Sequence, residues 1–70
     1  MEVITEISLA AARVNAGLTQ ANVAKALHVS NKSVVNWENG IIEPSFSTLM
    51  ALANLYGVPV NCIRLPTKLT

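Results

Sequence analysis

Between Thr19 and Pro44 the chain reads T-Q-A-N-V-A-K-A-L-H-V-S-N-K-S-V-V-N-W-E-N-G-I-I-E-P, and no other stretch leaves so few options for the fold. Thr19 is a good helix N-cap, with Leu18 placed before it as a hydrophobic staple. Val23, Ala24 and Leu27 recur at helical spacing and predict a helix from Gln20 to about Leu27, with Gln20, Asn22 and Lys25 facing outward. Only His28 and Val29 separate it from Ser30, which caps a further helix running to about Asn39 and stopping at Gly40. Steps of about 100° per residue from Val34 put Ser30, Trp37 and Glu38 near the buried face of that helix, and Lys32, Asn36 and Asn39 roughly opposite. Neither helix can bury its apolar stripe alone, so the two must pack across a two-residue turn at a set angle, with the small side chain of Ala24 where they cross.

The rest of the chain reads as support for that pair. Val3 to Ile7 are largely β-branched and alternate loosely, as an extended arm or a short edge strand would. Ser8 caps a first helix that ends at Gly17, with Leu9, Ala12 and Ala16 on one stripe and Arg13 beside it, where the guanidinium must snorkel out or meet an acid. Ser45 caps a fourth helix through Tyr56, for which the spacing predicts an inward stripe of Phe46, Leu49, Met50, Ala53 and Tyr56. Gly57 ends it, and Pro59 starts a short fifth helix whose Val60, Ile63 and Leu65 close the core before Pro66. Thr67 to Thr70 reads as a loose tail. The expected architecture is all-α, one domain over residues 1–70 with its core at about 8–65.

Charge bounds the partners. Five Lys and Arg against four Asp and Glu leave a net charge of +1, so a protein of this kind does not hold nucleic acid by charge alone, and any salt dependence of binding is shallow. The N-terminus has no basic region ahead of a long apolar stretch, so it does not read as a secretory signal, and no apolar run approaches the roughly 20 residues that span a bilayer. Cys62 is the sole cysteine, which rules out an intrachain disulfide and fits a reducing cytoplasm.

Two short helices at a tight turn, the second with an amide-and-lysine face, are the outline of a helix-turn-helix, which places one helix in the DNA major groove. The run from Gly17 to Gly40, followed by P-S-F-S-T-L-M-A-L-A-N-L-Y-G-V-P, closely resembles the phage repressor and Cro-type helix-turn-helix domain, also called the XRE family, over about Ser8 to Ile63. The resemblance implies a five-helix lambda-repressor-like domain that reads operator DNA as a transcriptional regulator of the phage or prophage repressor or Cro type, in a bacterial cytoplasm. It implies base reading by Asn31, Lys32 and Asn36, and phosphate contact or positioning by Gln20, Ser30, Asn39 and Gly40. It also implies a partly buried ion bridge between Arg13 and Glu38, and a homodimer at least on DNA. The chemistry fits independently, because asparagine can bond adenine at N6 and N7 and lysine can reach guanine O6 and N7.

Two positions depart from the family pattern. Where relatives carry glycine in a left-handed turn this chain has His28, a side chain that tolerates positive φ better than most. The loop after Gly40, often basic in relatives, is Ile41-Ile42-Glu43, which removes cations and adds an acid. Ile41 and Ile42 either form a contact patch together or divide, one tucking against the fourth helix. These features support an alternative reading as a protein-interaction or antitoxin-like module on the same scaffold. Trp37 reads as core and His28 as a turn residue, with no further ligand at metal spacing, and Cys62 reads as a structural thiol. No nucleophile, base or ligand cluster has usable spacing, so neither an enzyme nor a metal or cofactor site is expected.

Overall fold

The computed structural model describes residues 6–66. The chain runs β1 (Ile7–Ser8), α1 (Leu9–Asn15), α2 (Gln20–Leu27), α3 (Asn31–Glu38), α4 (Phe46–Tyr56), a single 3-10 turn (Val60–Cys62) and β2 (Ile63–Arg64). The two strands pair in parallel, Ile7 opposite Ile63 and Ser8 opposite Arg64.

One local chemistry starts and stops every α-helix. Ser8, Thr19, Ser30 and Ser45 each accept the backbone N–H three residues on, at 3.1, 3.0, 3.1 and 3.2 Å, which satisfies a donor that the helix itself leaves free. Thr19 closes a reciprocal box, since its own N–H donates to Asn22 Oδ1 at 2.9 Å. At the other end the chain turns left-handed at Gly17, His28, Gly40 and Gly57. The following amide reaches back to the last turn, Leu18 to Arg13 O, Val29 to Ala24 O, Ile41 to Asn36 O and Val58 to Ala53 O, at 2.9–3.1 Å. This is the Schellman closure, used four times. His28 adopts it with a side chain, at φ 58 and ψ 43, and so holds the two-residue turn between α2 and α3.

Leu9 and Ala12 of α1, Val23 and Ala24 of α2, Val34 and Trp37 of α3 and Leu52 and Tyr56 of α4 form one buried cluster. Leu9, Leu52, Val23 and Val34 are essentially sealed from solvent. Around this cluster Ile7, Leu18, Leu27, Val29, Leu49 and Ile63 are partly buried.

Three expectations need correction. Among the described residues four α-helices are present and the expected fifth is not: Val60–Cys62 makes one 3-10 turn, and the chain then goes extended at Ile63. The β-branched Ile63 gains a ladder partner in Ile7, and three residues between Pro59 and that pairing are too few to bury a helical face. In α4 the inward row is Leu49, Leu52, Ala53 and Tyr56, whereas Phe46 is 71% exposed and Met50 45%. Phe46 and Met50 lie four residues apart on a neighbouring row of the helix, rotated away from the cluster, and no described element covers them. Ala16, at the end of α1, is exposed rather than part of the stripe.

Of the extended N-terminal segment, Ile7 is in β1; Val3 to Thr5 and the tail Thr67 to Thr70 lie outside the described residues. None of the described helices is long and apolar enough to cross a membrane.

Candidate nucleic-acid interface

The outward side of α3 is a row of short polar side chains with one cation. Asn31, Lys32 and Asn39 are exposed and Asn36 is half-buried. Val35 is half-buried beside them, while Val34 and Trp37 point into the core. The helix carries its readers on one side because its own apolar residues take the other; the α3 sequence NKSVVNWE has no larger group to compete for that face.

Besides Val34 and Trp37 in the core, the last residue of α3 ties it to α1 and α2. The Glu38 side chain is only 6% exposed, and it lies against the Arg13 side chain, 15% exposed, on α1. Arg13 Nε donates to Glu38 Oε2 at 2.7 Å and Nη2 to Oε1 at 3.4 Å, a fork-on-carboxylate geometry. Arg13 Nη1 donates at 2.9 Å to the carbonyl of Leu18, which lies in the connection between α1 and α2. Gln20, the first residue of α2, donates from Nε2 to Glu38 Oε1 at 3.0 Å. One carboxylate therefore joins α1, α2 and α3, and every buried side-chain nitrogen or oxygen among the described residues has a partner. The buried Tyr56 phenol senses this group: its pKa is pushed up to about 12, first by burial and then by the Glu38 carboxylate, with Arg13 pulling the other way.

The residues singled out from the sequence fall into three places. Asn31, Lys32 and Asn36 share α3, and Asn39 and Gly40 form its exit. Ser30 is exposed and caps α3, its Oγ accepting from the Ser33 amide and lying 3.0 Å from Ser33 Oγ. Gln20 is half-buried and tied to Glu38, so one of its amide hydrogens is already used on the protein. The Asn36 carbonyl takes the amides of both Ile41 (2.9 Å) and Ile42 (3.3 Å), so the exit loop hangs on a residue of the polar face. The family resemblance implies that Gln20 braces the recognition helix but names no partner; Glu38 could not be named because the two lie on different helices at no informative spacing.

The surroundings are weakly charged. Lys25, Lys32 and Arg64 are exposed cations, while Arg13 is neutralised by Glu38. Ile41 and Ile42 are 57% and 52% exposed, so neither tucks fully under α4, and Glu43 beside them is exposed.

Comparison with known proteins places this geometry. The model of the Helix-turn-helix family matches residues 9–61, from the start of α1 into the 3-10 turn. Over 50 residues the chain is 40% identical to the HTH-type transcriptional regulator ImmR of Bacillus subtilis (strain 168), a match that covers 71% of this chain. The same match spans 39% of the length of that relative.

Proposed function

Since the chain belongs to the Helix-turn-helix family over residues 9–61, we propose that it binds double-stranded DNA sequence-specifically and regulates transcription in the manner of a repressor or Cro-type protein. The observation that carries this reading is the polar outer row of α3, held on a helix that the Glu38 carboxylate links to α1 and α2.

In this reading α3 enters the major groove. Asn31, Lys32 and Asn36 read base edges, each good contact being worth about 1–3 kcal/mol against a wrong base. Gln20, Ser30, Asn39 and Gly40 meet the phosphates and set the register. Gln20 uses one N–H on Glu38 and keeps the other for a phosphate oxygen, so the network that orients the helix also aims its anchor. No chemistry is carried out, and the partner is an operator. Two copies occupy half-sites about one helical turn, roughly 34 Å, apart. With few free cations per copy, single-site affinity is low and occupancy rises steeply with concentration.

A second reading is favoured by one specific observation, the exposure of Ile41, Ile42, Phe46 and Met50. An interaction module would use these apolar side chains on another protein and leave the α3 face to water. Selection of bound sequences from random duplex DNA, followed by a salt titration on the winner, separates the two. Enrichment of a sequence with dyad symmetry and a shallow salt slope supports the regulator. Failure to enrich any sequence removes DNA reading and leaves the interaction module.

A further inference from the structure

We propose that Pro66 is a positioning residue for DNA binding, acting through Gly40 at the exit of α3; the inference rests on the DNA-reading function proposed above. A Cβ built on Gly40 would lie 2.8 Å from Pro66 Cβ, closer than side chains tolerate, and 3.5 Å from its Cγ, an ordinary contact. The proline ring therefore rests on bare backbone, and Gly40 is glycine for two reasons: its φ of 74° and the ring against it.

Pro66 takes its own place from elsewhere. It follows β2 by one residue, and β2 is hydrogen-bonded to β1, which leads directly into α1 and the sealed Leu9. The segment Leu65–Pro66 thus spans from the sheet to the recognition helix. Together with Trp37, Ile42 and Pro44 it lines a groove of about 290 Å³ beside the exit loop.

The loop depends on this support more than a basic loop would. Ile41-Ile42-Glu43 offers phosphate no cation, so the loop's contribution is the path of its backbone. That path is pinned where it leaves α3, by the two amide bonds to the Asn36 carbonyl and by Pro66 on Gly40. When Pro66 is removed, Gly40 loses the ring packed on it, and the amides of Ile41 and Ile42 are held over Asn36 by their hydrogen bonds alone and open more often. Asn36 and Asn39 then face the groove from a frayed last turn.

The test compares Pro66→Gly, which removes the ring and its Cβ, with Pro66→Ala, which keeps the Cβ that meets Gly40. Both are made in the whole chain and assayed on the operator selected by the parent, at a temperature where thermal unfolding shows each variant folded. Pro66→Gly is expected to weaken binding by about fivefold or more, the lower end of coupling between distinct sites. Pro66→Ala is expected to bind within about twofold of the parent, well inside that coupling range. In the free protein, hydrogen exchange of the Ile41 and Ile42 amides should quicken in Pro66→Gly while that of Val29 and Val58 does not. A merely structural proline would speed all four together. Equal losses in both variants, or parental affinity with parental exchange in Pro66→Gly, overturn the inference. A parent that enriches no DNA sequence overturns the functional reading first, and this inference with it, so the two failures are told apart by the parent alone.

Discussion

Replacing Glu38 by glutamine tests whether one carboxylate sets the geometry of α1, α2 and α3. The substitution keeps the shape and removes one acceptor oxygen and the charge. Two orientations are open to the introduced amide. With its nitrogen toward Arg13 Nε, two donors face each other across what was a 2.7 Å charge-assisted bond, a loss of about 1.5–3 kcal/mol. With its nitrogen on the Oε1 side, Gln20 can turn its own amide over and accept, and only the 3.4 Å contact of Arg13 Nη2 is broken outright. The remaining bond to Nε then has a neutral acceptor, about half as strong as an ionic one, and a guanidinium 15% exposed is left without its counter-charge.

Breaking a buried pair by removing one partner costs about 3–5 kcal/mol. Arg13 keeps some water and keeps the Leu18 carbonyl at 2.9 Å, so Glu38→Gln should cost about 2 kcal/mol. Trp37, the single tryptophan and the neighbour of Glu38, reports urea unfolding by fluorescence, and the midpoint should fall at constant slope. Arg13→Met with Glu38→Leu should cost less than Glu38→Gln alone, because the pair removed together leaves no orphaned charge. A loss below about 0.5 kcal/mol for Glu38→Gln, the scatter of ordinary surface substitutions, would show that the carboxylate does not hold the three helices. So would a double replacement as costly as the sum of the two single ones.

Asn36→Ala should lose about 1–3 kcal/mol of operator binding and relax preference at one base position, whereas Gln20→Ala should weaken all sequences alike; selection from random DNA distinguishes them. Tyr56, the single tyrosine, should titrate well above its ordinary value of 10.0, near 12, in the folded protein, as phenolate absorbance would show. Between those values the unfolded chain has lost the phenol proton and the folded chain has kept it, so stability falls as the pH climbs from 10 towards 12. Gly57→Ala meets nothing within 4 Å and should cost about 1–2 kcal/mol from left-handed strain alone, while Gly40→Ala adds the 2.8 Å clash with Pro66 and should cost clearly more; urea midpoints compare the two. A smaller loss for Gly40 would contradict the proline contact.

How much was legible follows the range of the interaction. The limits of α1 to α4 are readable because each rests on a hydroxyl accepting an amide three residues away and on a left-handed residue closing the last turn. His28 is the instructive case: no glycine marks the turn, yet its place between Leu27 and Ser30 was enough to identify it. The polar face of α3 is likewise a matter of 100° steps from Val34. In α4 the same arithmetic failed. An almost wholly apolar helix, FSTLMALANLY, offers two overlapping rows, and periodicity cannot say which row the remainder of the chain covers. The cluster took Leu52 and left Phe46 and Met50 outside.

The sequence by itself determined the helices, their caps, the turn at His28 and the face that α3 offers, since all of these depend on residues within one or two turns of each other. Only the tertiary structure decided the rest. Ile63 left the helical path because a strand partner waited at Ile7, at the far end of the chain. Gln20 found Glu38 across two helices, and Pro66 came to lie on Gly40. These are meetings of groups whose separation in space depends on every element packed between them, and composition, spacing and propensity carry no measure of that distance.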